Sequence, residues 1–324
     1  MSIPIADLHC DLLCYLERNP SRTANDRGAR CSIPQLREGH VHYQTCAVFA
    51  ETGPKSLKEG TAQTEIFKQL PQVHSESVYH YQGDPTDPDK VALLLAFENA
   101  STFCSEDDSL NEGFKRLDGI IHKIVKPLYI SLTWNGENRF GGGAFSSVGL
   151  KEDGKRLLEL MHIHQIAVDF SHTSDTLAYD ILNYIDKQNL KIPLLASHSN
   201  SRHVSPAIRN LPDEIAKEIF SRKGIIGLNL YSRFIGSKAD ESIVKHISHW
   251  IELGGQHQIC FGADFFYDPD FPIADRQPDE ELFFKDYADA TCYGRLLKLF
   301  RDSGFQDEVV KGIASQNFLD FIRT

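Results

Sequence analysis

Six side chains able to bind a cation or carry a proton stand where short apolar runs of this 324-residue chain end. Ile5 to His9 runs on into Cys10-Asp11, Val91 to Phe97 is followed by Glu98, and Ile166 to Phe170 by Ser171-His172. Leu194 to Ser197 is followed by His198, and Gln258 to Gly262 by Ala263-Asp264. Residues two apart on a strand point to the same side, so His9 and Asp11 can meet one cation while Cys10 turns away. Taken singly, a histidine at such a place is more often a hydrogen-bonded core residue, and a carboxylate is often the first solvated residue of a loop. Three histidines and three acids crowded together are another matter, because that much buried charge is costly unless cations neutralise it. Nitrogen and oxygen donors suit zinc best, with manganese, cobalt or iron able to occupy the same set. His9, Asp11, Glu98, His172 and His198 are more ligands than one tetrahedral zinc needs, which favours two ions sharing Glu98. Ions about 3.5 to 4 Å apart can hold a bridging hydroxide and polarise a carbonyl together, and the chemistry that follows is hydrolysis.

The elements that must position these groups are legible as an alternation. Eight strand-like runs are expected: the five above together with Tyr43 to Phe49, Leu128 to Thr133 and Gly224 to Leu230. Between them lie amphipathic stretches at Leu57 to Leu70, Asn111 to Ile124, Lys151 to His164, Ser174 to Gln188, Pro212 to Lys223 and Ser242 to Gly254. Asp279 to Ser303 and Gln306 to Arg323 close the chain as expected helices. Leu177, Ile181, Leu182 and Ile185 show the helical spacing, and Ser174 before Asp175 or Pro212 before Asp213-Glu214 are entry signals. Strands alternating with helices predict a parallel sheet, and eight repeats predict a (β/α)₈ barrel of about 250 residues, with active groups at the C-terminal strand ends. The remaining length is assigned to insertions at Asn19 to His42, Gln72 to Asp89, around Gly141 to Gly143, and at Tyr267 to Glu280. A doubly wound open sheet is the alternative, but no Gly-rich nucleotide turn follows the first strand. No linker or break in composition divides the chain, so residues 1–324 are expected to form a single barrel domain.

Composition narrows the partners. Lys and Arg number 34 against 45 Asp and Glu, a net charge of −11. The basic clusters at Lys123 to Lys126 and Arg202 to Arg209 are short and diluted, so nucleic acid and anionic membranes are not expected partners. No run of about 18 apolar residues predicts a spanning helix. Seven cysteines without a CxxC pair suggest reduced, mostly buried residues and neither a disulfide framework nor a zinc ribbon. With no signal-like segment at the start, a cytoplasmic protein is expected.

At these same residues the chain resembles the renal or membrane dipeptidase family of the amidohydrolase superfamily, whose members are binuclear-zinc (β/α)₈ barrels. The anchors are Asp-Leu-His9-Cys-Asp11, Phe-Glu98-Asn, Ser-Leu-Thr-Trp134-Asn, Asp-Phe-Ser-His172-Thr-Ser-Asp, Ser-His198-Ser followed by Arg209-Asn-Leu-Pro-Asp, and Phe-Gly-Ala-Asp264-Phe. The resemblance implies that His9 and Asp11 hold one zinc, that His172 and His198 hold the other, and that Glu98 bridges them. It implies that Asp264 is the acid that takes a proton from the attacking water and passes it to the leaving amine. A carboxylate beside two cations that is not itself needed as a ligand suits that role. Arg209 is similar to the residue that pairs with the substrate carboxylate, a task for a guanidinium fork, although an Arg-Asn turn at the surface would read the same way. Tyr231 and Asn229, at the end of the seventh strand, are expected in the pocket. Where animal members have a histidine after Leu-Thr, this chain has Trp134 and Asn135. Either can donate a hydrogen bond to a carbonyl oxygen, but neither brings a positive charge.

The expected activity is that of a metal-dependent dipeptidase, open to dipeptides with a D-residue at the C-terminal position, with two zinc ions or manganese or cobalt in their place. The expected partners are a dipeptide and at most a second copy of the chain. The same barrel and metals could instead cleave a lactone, a β-lactam or an N-acyl amino acid, and a non-catalytic peptide-binding barrel is the competing class.

Overall fold

The computed structural model describes residues 3–83, 87, 89–270, 277 and 280–323. Nine parallel strands form its sheet: β1 (Ile5–Cys10), β2 (Val41–Phe49), β3 (Val78–His80), β4 (Val91–Glu98), β5 (Tyr129–Ser131), β6 (Ala167–Asp169), β7 (Leu194–Ala196), β8 (Ile225–Leu228) and β9 (Ile259–Phe261). β1 pairs with β2 on one side and β9 on the other, β2 pairs with β4, and the order then runs β4 through β9. Eight strands therefore close on themselves as a (β/α)₈ barrel. β3 is the addition: it lies in the expected Gln72 to Asp89 insertion and pairs only with the first residues of β4, Val91 to Leu93.

Alternation along the strands produces two cores. Ala6 and Leu8, Ala92, Leu94 and Ala96, Tyr129, Ala167, Leu195, Ile225 and Cys260 face the interior, where Phe318 and Phe321 of the last helix complete the cluster. Tyr43 meets Phe318 with ring centroids 5.6 Å apart, and the Asn317 amide donates to Ile259 O at 2.8 Å. The chain's final helix thus forms the floor of the barrel. The opposite strand faces pack against the surrounding helices, for example through Leu177, Ile181 and Ile185 of the helix Asp175–Gln188. That helix starts where Ser174 accepts from Leu177 N and ends at Asn189 in the left-handed region, as its cap residues dictate.

Two features bring the mouth together. A register shift between Asp7 and Cys10 bends β1. Asp7 and His9 are two apart, yet Asp7 accepts from Tyr293 and Gln44 while His9 meets the interior Tyr129. Such an irregularity re-aims a side chain next to a site. Glycine permits the second: a Cβ on Gly227 or Gly262 would come within 2.1 or 1.8 Å of Ser197 O. Only bare backbone lets β7, β8 and β9 approach this closely, so His198 and Asp264 are drawn to the same opening.

The expected helix Asp279 to Ser303 is shorter than its pattern. Asp279 lies outside the described residues, two short 3₁₀ turns occupy Lys285–Tyr287 and Ala290–Cys292, and the α-helix is Tyr293–Asp302. Phe283 is held extended in a bridge to Tyr231, and Asp289 accepts from Thr291 N, fixing a turn. Tertiary packing of aromatics overrides the local pattern here. Residues Gln306 to Arg323 are helical much as expected, with one π turn at Gly312–Gln316. Of the Tyr267 to Glu280 insertion, positions 271–276 and 278–279 lie outside the described residues.

Candidate metal centre and active site

All six groups expected at the strand ends converge at the mouth. Glu98 sits at their centre with its two oxygens turned to different partners. Oε2 lies 3.3 Å from His9 Nε2, while Oε1 lies 2.7 Å from His172 Nε2 and 3.6 Å from His198 Nε2. His9 Nε2 is 3.9 Å from Asp11 Oδ1 and 3.7 Å from Asp264 Oδ1. Donor atoms of His9, Asp11 and Glu98, and separately of Glu98, His172 and His198, fall within 4.8 Å of one another.

Each imidazole is held from behind by its other nitrogen. His9 Nδ1 is 2.7 Å from Tyr129 Oη, and that hydroxyl donates to Leu8 O, so the phenolic oxygen accepts from Nδ1–H. His198 Nδ1 is 2.8 Å from Ser197 Oγ, whose hydroxyl proton goes to Asp169. His172 Nδ1 donates to Asn135 Oδ1 at 2.8 Å. With all three protons on Nδ1, all three Nε2 lone pairs face the centre, the arrangement in which surrounding partners fix the tautomer of metal-binding histidines. The Nε2 atoms of His172 and His198 lie 2.8 Å apart, and His9 Nε2 and Asp11 Oδ1 are buried without a hydrogen-bond partner among the described residues. These residues fit divalent metal binding: imidazole nitrogens and carboxylates, oriented and in part unsatisfied among the described residues.

The electrostatics show an excess of negative charge that a cation would offset, since the acids around His9 favour a positive charge there. Burial works against a charge on His9, yet Glu98, Asp11 and Asp264 lift it to about 10. Burial, with Arg209 adding to it, drives His172 down to about 3. It also pushes Asp264 up to about 7, against the pull of His9. Asn229 donates to Asp264 Oδ2 at 2.9 Å and to His198 O, so it orients the acid. The backbone is bent to the purpose: Asn99, His172 and Asp264 have φ of 95°, 68° and 62°. Such left-handed residues cluster where surrounding structure over-determines a site.

A cavity of about 440 Å³ opens over the centre, bordered by Trp134, Asn135, Arg209 and Tyr231 as well as Asp264. Arg209 is not a surface charge. It is 5% exposed, its Nε and Nη2 lack hydrogen-bond partners among the described residues, and burial lowers its pKa. Trp134 packs between Phe49 and His172, at 5.0 and 5.8 Å, and so forms a wall. Asn135 commits its oxygen to His172 and still borders the cavity. Sequence reasoning missed Tyr129, Ser197 and Asp169. The last two stand in the quoted Ser-His198 and Asp-Phe-Ser-His172 runs, whereas Tyr129 gave no signal beyond its place on an interior face. Glu51, Arg18 and Arg233 also border the cavity and were not anticipated.

Known proteins carry the same outline. An uncharacterized protein in the pqqA 5' region of Klebsiella pneumoniae is 26% identical over 72% of this chain and 83% of its own length. An uncharacterized dipeptidase of Schizosaccharomyces pombe is 25% identical over 81% of this chain and 69% of its own. A metallo peptidase from Rhodobacter sphaeroides, solved with a phosphinate mimic of the dipeptide L-Ala-D-Ala, superposes with a TM-score of 0.80 at 19% identity, covering 100% of this chain and 99% of that one. The model of the membrane dipeptidase family, peptidase family M19, matches residues 1–324. The cation-ready mouth thus sits in a chain matched over its full length, and the protein belongs to the membrane dipeptidase family as a metal-dependent dipeptidase.

Proposed function

We propose that the enzyme works with two zinc ions, His9 and Asp11 serving one, His172 and His198 the other, and Glu98 standing between them. Manganese or cobalt is expected to support the same geometry. The observation that carries the reading is the division of Glu98, whose Oε2 faces His9 while its Oε1 faces His172 and His198. When bound, the ion pair supplies an activated water and polarises the scissile carbonyl.

The chain's own residues do the rest. Asp264 takes the proton of the attacking water and delivers it to the leaving amine, with Asn229 holding its second oxygen in place. A buried carboxyl that burial raises toward neutrality is suited to carry a proton in both directions. Arg209 receives the substrate's carboxylate, since a buried guanidinium with two nitrogens unpaired among the described residues is costly until an anion reaches it. Such a pair fixes the distance from the free C-terminus to the cleaved bond, so that one residue follows that bond. The Asn135 amide, anchored by His172, donates to the carbonyl oxygen as charge develops on it. Trp134 and Tyr231 shape the wall beside the substrate's side chains. The ligand of the Rhodobacter sphaeroides peptidase supports acceptance of a C-terminal D-residue. All seven cysteines are buried and free, which supports a reducing, cytoplasmic setting, and the closed sheet supports one barrel domain for the whole chain.

Hydrolysis of L,L, L,D and D,L dipeptides before and after chelation and metal replacement tests the reading. Asp264→Asn is expected to retain its zinc, measured by mass spectrometry, while kcat/KM falls by roughly 10²–10⁴. Unchanged turnover would remove Asp264 from the mechanism.

A further inference from the structure

Away from the mouth, three residues from three elements meet on the outside of the barrel. His203 lies in the loop after β7, Asp213 is the first residue of the helix Asp213–Ser221, and His249 is in the last turn of the helix Ala239–Glu252. One donor atom from each lies within 4.8 Å of the others. His249 Nε2 is 2.9 Å from Asp213 Oδ1, the His203 and His249 rings stack at 4.3 Å with planes 5° apart, and Glu252 stands 3.9 Å from His249 Nδ1. We propose that His203, Asp213 and His249 form an additional cation site, distinct from the catalytic centre, that takes a borderline transition dication such as Zn²⁺, Ni²⁺ or Cu²⁺.

The chemistry selects the class of ion. Two imidazole nitrogens and one carboxylate oxygen suit zinc, nickel or copper, whereas calcium and magnesium demand oxygen ligands throughout. Parallel rings cannot both aim a lone pair at one ion, and His203 has to turn its edge inward on binding. Its side chain is exposed, and among the described residues its ring has no hydrogen-bond partner to give up. The neighbouring Arg202 already ties this loop down, through a two-pronged contact with Asp175 and a bond to Asn210 O. An ion would add a clamp from the loop to two helices, six residues before Arg209.

The test uses tag-free enzyme with its mouth ligands intact. After equilibration with excess Zn²⁺ and gel filtration, wild type is expected to carry one zinc per chain more than His203→Ala and to unfold a few degrees higher in the presence of the added ion. His249→Gln is expected to lose the same ion, and both variants are expected to keep wild-type dipeptidase activity at limiting zinc. The reading is overturned by equal zinc content in wild type and both variants, or by a zinc-dependent rise in unfolding temperature that survives in His203→Ala. Because only the difference between proteins is read, the result does not depend on how many ions the mouth holds.

Discussion

At the floor of the barrel Phe318 and Phe321 close a cluster of alanine, leucine and tyrosine side chains, with Asn317 tying the helix to the start of β9. At the mouth, the same strands end in three imidazoles and three carboxylates whose charges conflict, on backbone that is left-handed at Asn99, His172 and Asp264. The floor gains free energy from burial, while the mouth spends some of it on desolvated charge and strained dihedrals. One sheet carries both, with Tyr129 belonging to the interior cluster and to the bracket behind His9, so a change at the floor should be read mainly in stability and a change at the mouth mainly in chemistry.

The largest effect expected is at the mouth. His198→Ala removes a donor facing Glu98, and zinc content and kcat/KM should both fall, the latter by 10³-fold or more, while the circular dichroism spectrum of the folded enzyme is kept. Full zinc occupancy in this variant would break the comparison. At the floor, Phe318→Ala should lower stability in urea by about 3–5 kcal/mol, with kcat per folded molecule unchanged. A loss of kcat instead would mean that floor and mouth are coupled.

Between these extremes lies His246, which is fully buried. Its Nδ1 accepts from Ser201 N and its Nε2 donates to Ile235 O, so the folded state requires neutral imidazole. Burial lowers it to about 4, with His249 one turn away adding to the effect. The unfolded chain binds this proton below about pH 6.5 and the folded chain only near 4. Stability should therefore fall as pH drops from 6.5 to 4, by up to about 3 kcal/mol. Urea midpoints across that range measure it, and His246→Gln should flatten the slope. The smallest effect sharpens the mouth itself: Tyr129→Phe removes the oxygen that accepts from His9, and zinc affinity should weaken by roughly 10–100-fold with little change in stability.

The distinction between the two ends was partly visible in the sequence. The strand-end rule located His9, Asp11, Glu98, His172, His198 and Asp264, because a (β/α)₈ barrel builds its active site at the C-terminal ends of its strands. Arg209 was legible as a residue type but not as a buried one, since burial of the loop after β7 depends on packing against Phe234. The bend in β1 that separates the fates of Asp7 and His9 left no trace in a pattern of period two. Tyr129 looked like any strand tyrosine, because its role rests on a partner 120 positions away. The segment before Tyr293 read as helix because its composition permits one, and the bridge from Phe283 to Tyr231 decided otherwise.

The pairing of β1 with β9, and the sealing of the interior by Phe318, have a consequence in time. A ribosome adding roughly 5–20 residues per second presents His9 some 15–60 s before the helix that closes the floor exists. During that interval His9 and Asp11 have no Glu98, then no His172, then no Asp264 beside them. A cation captured early would meet two ligands on an unfinished sheet, and the full set of donors stands together only once the barrel has closed.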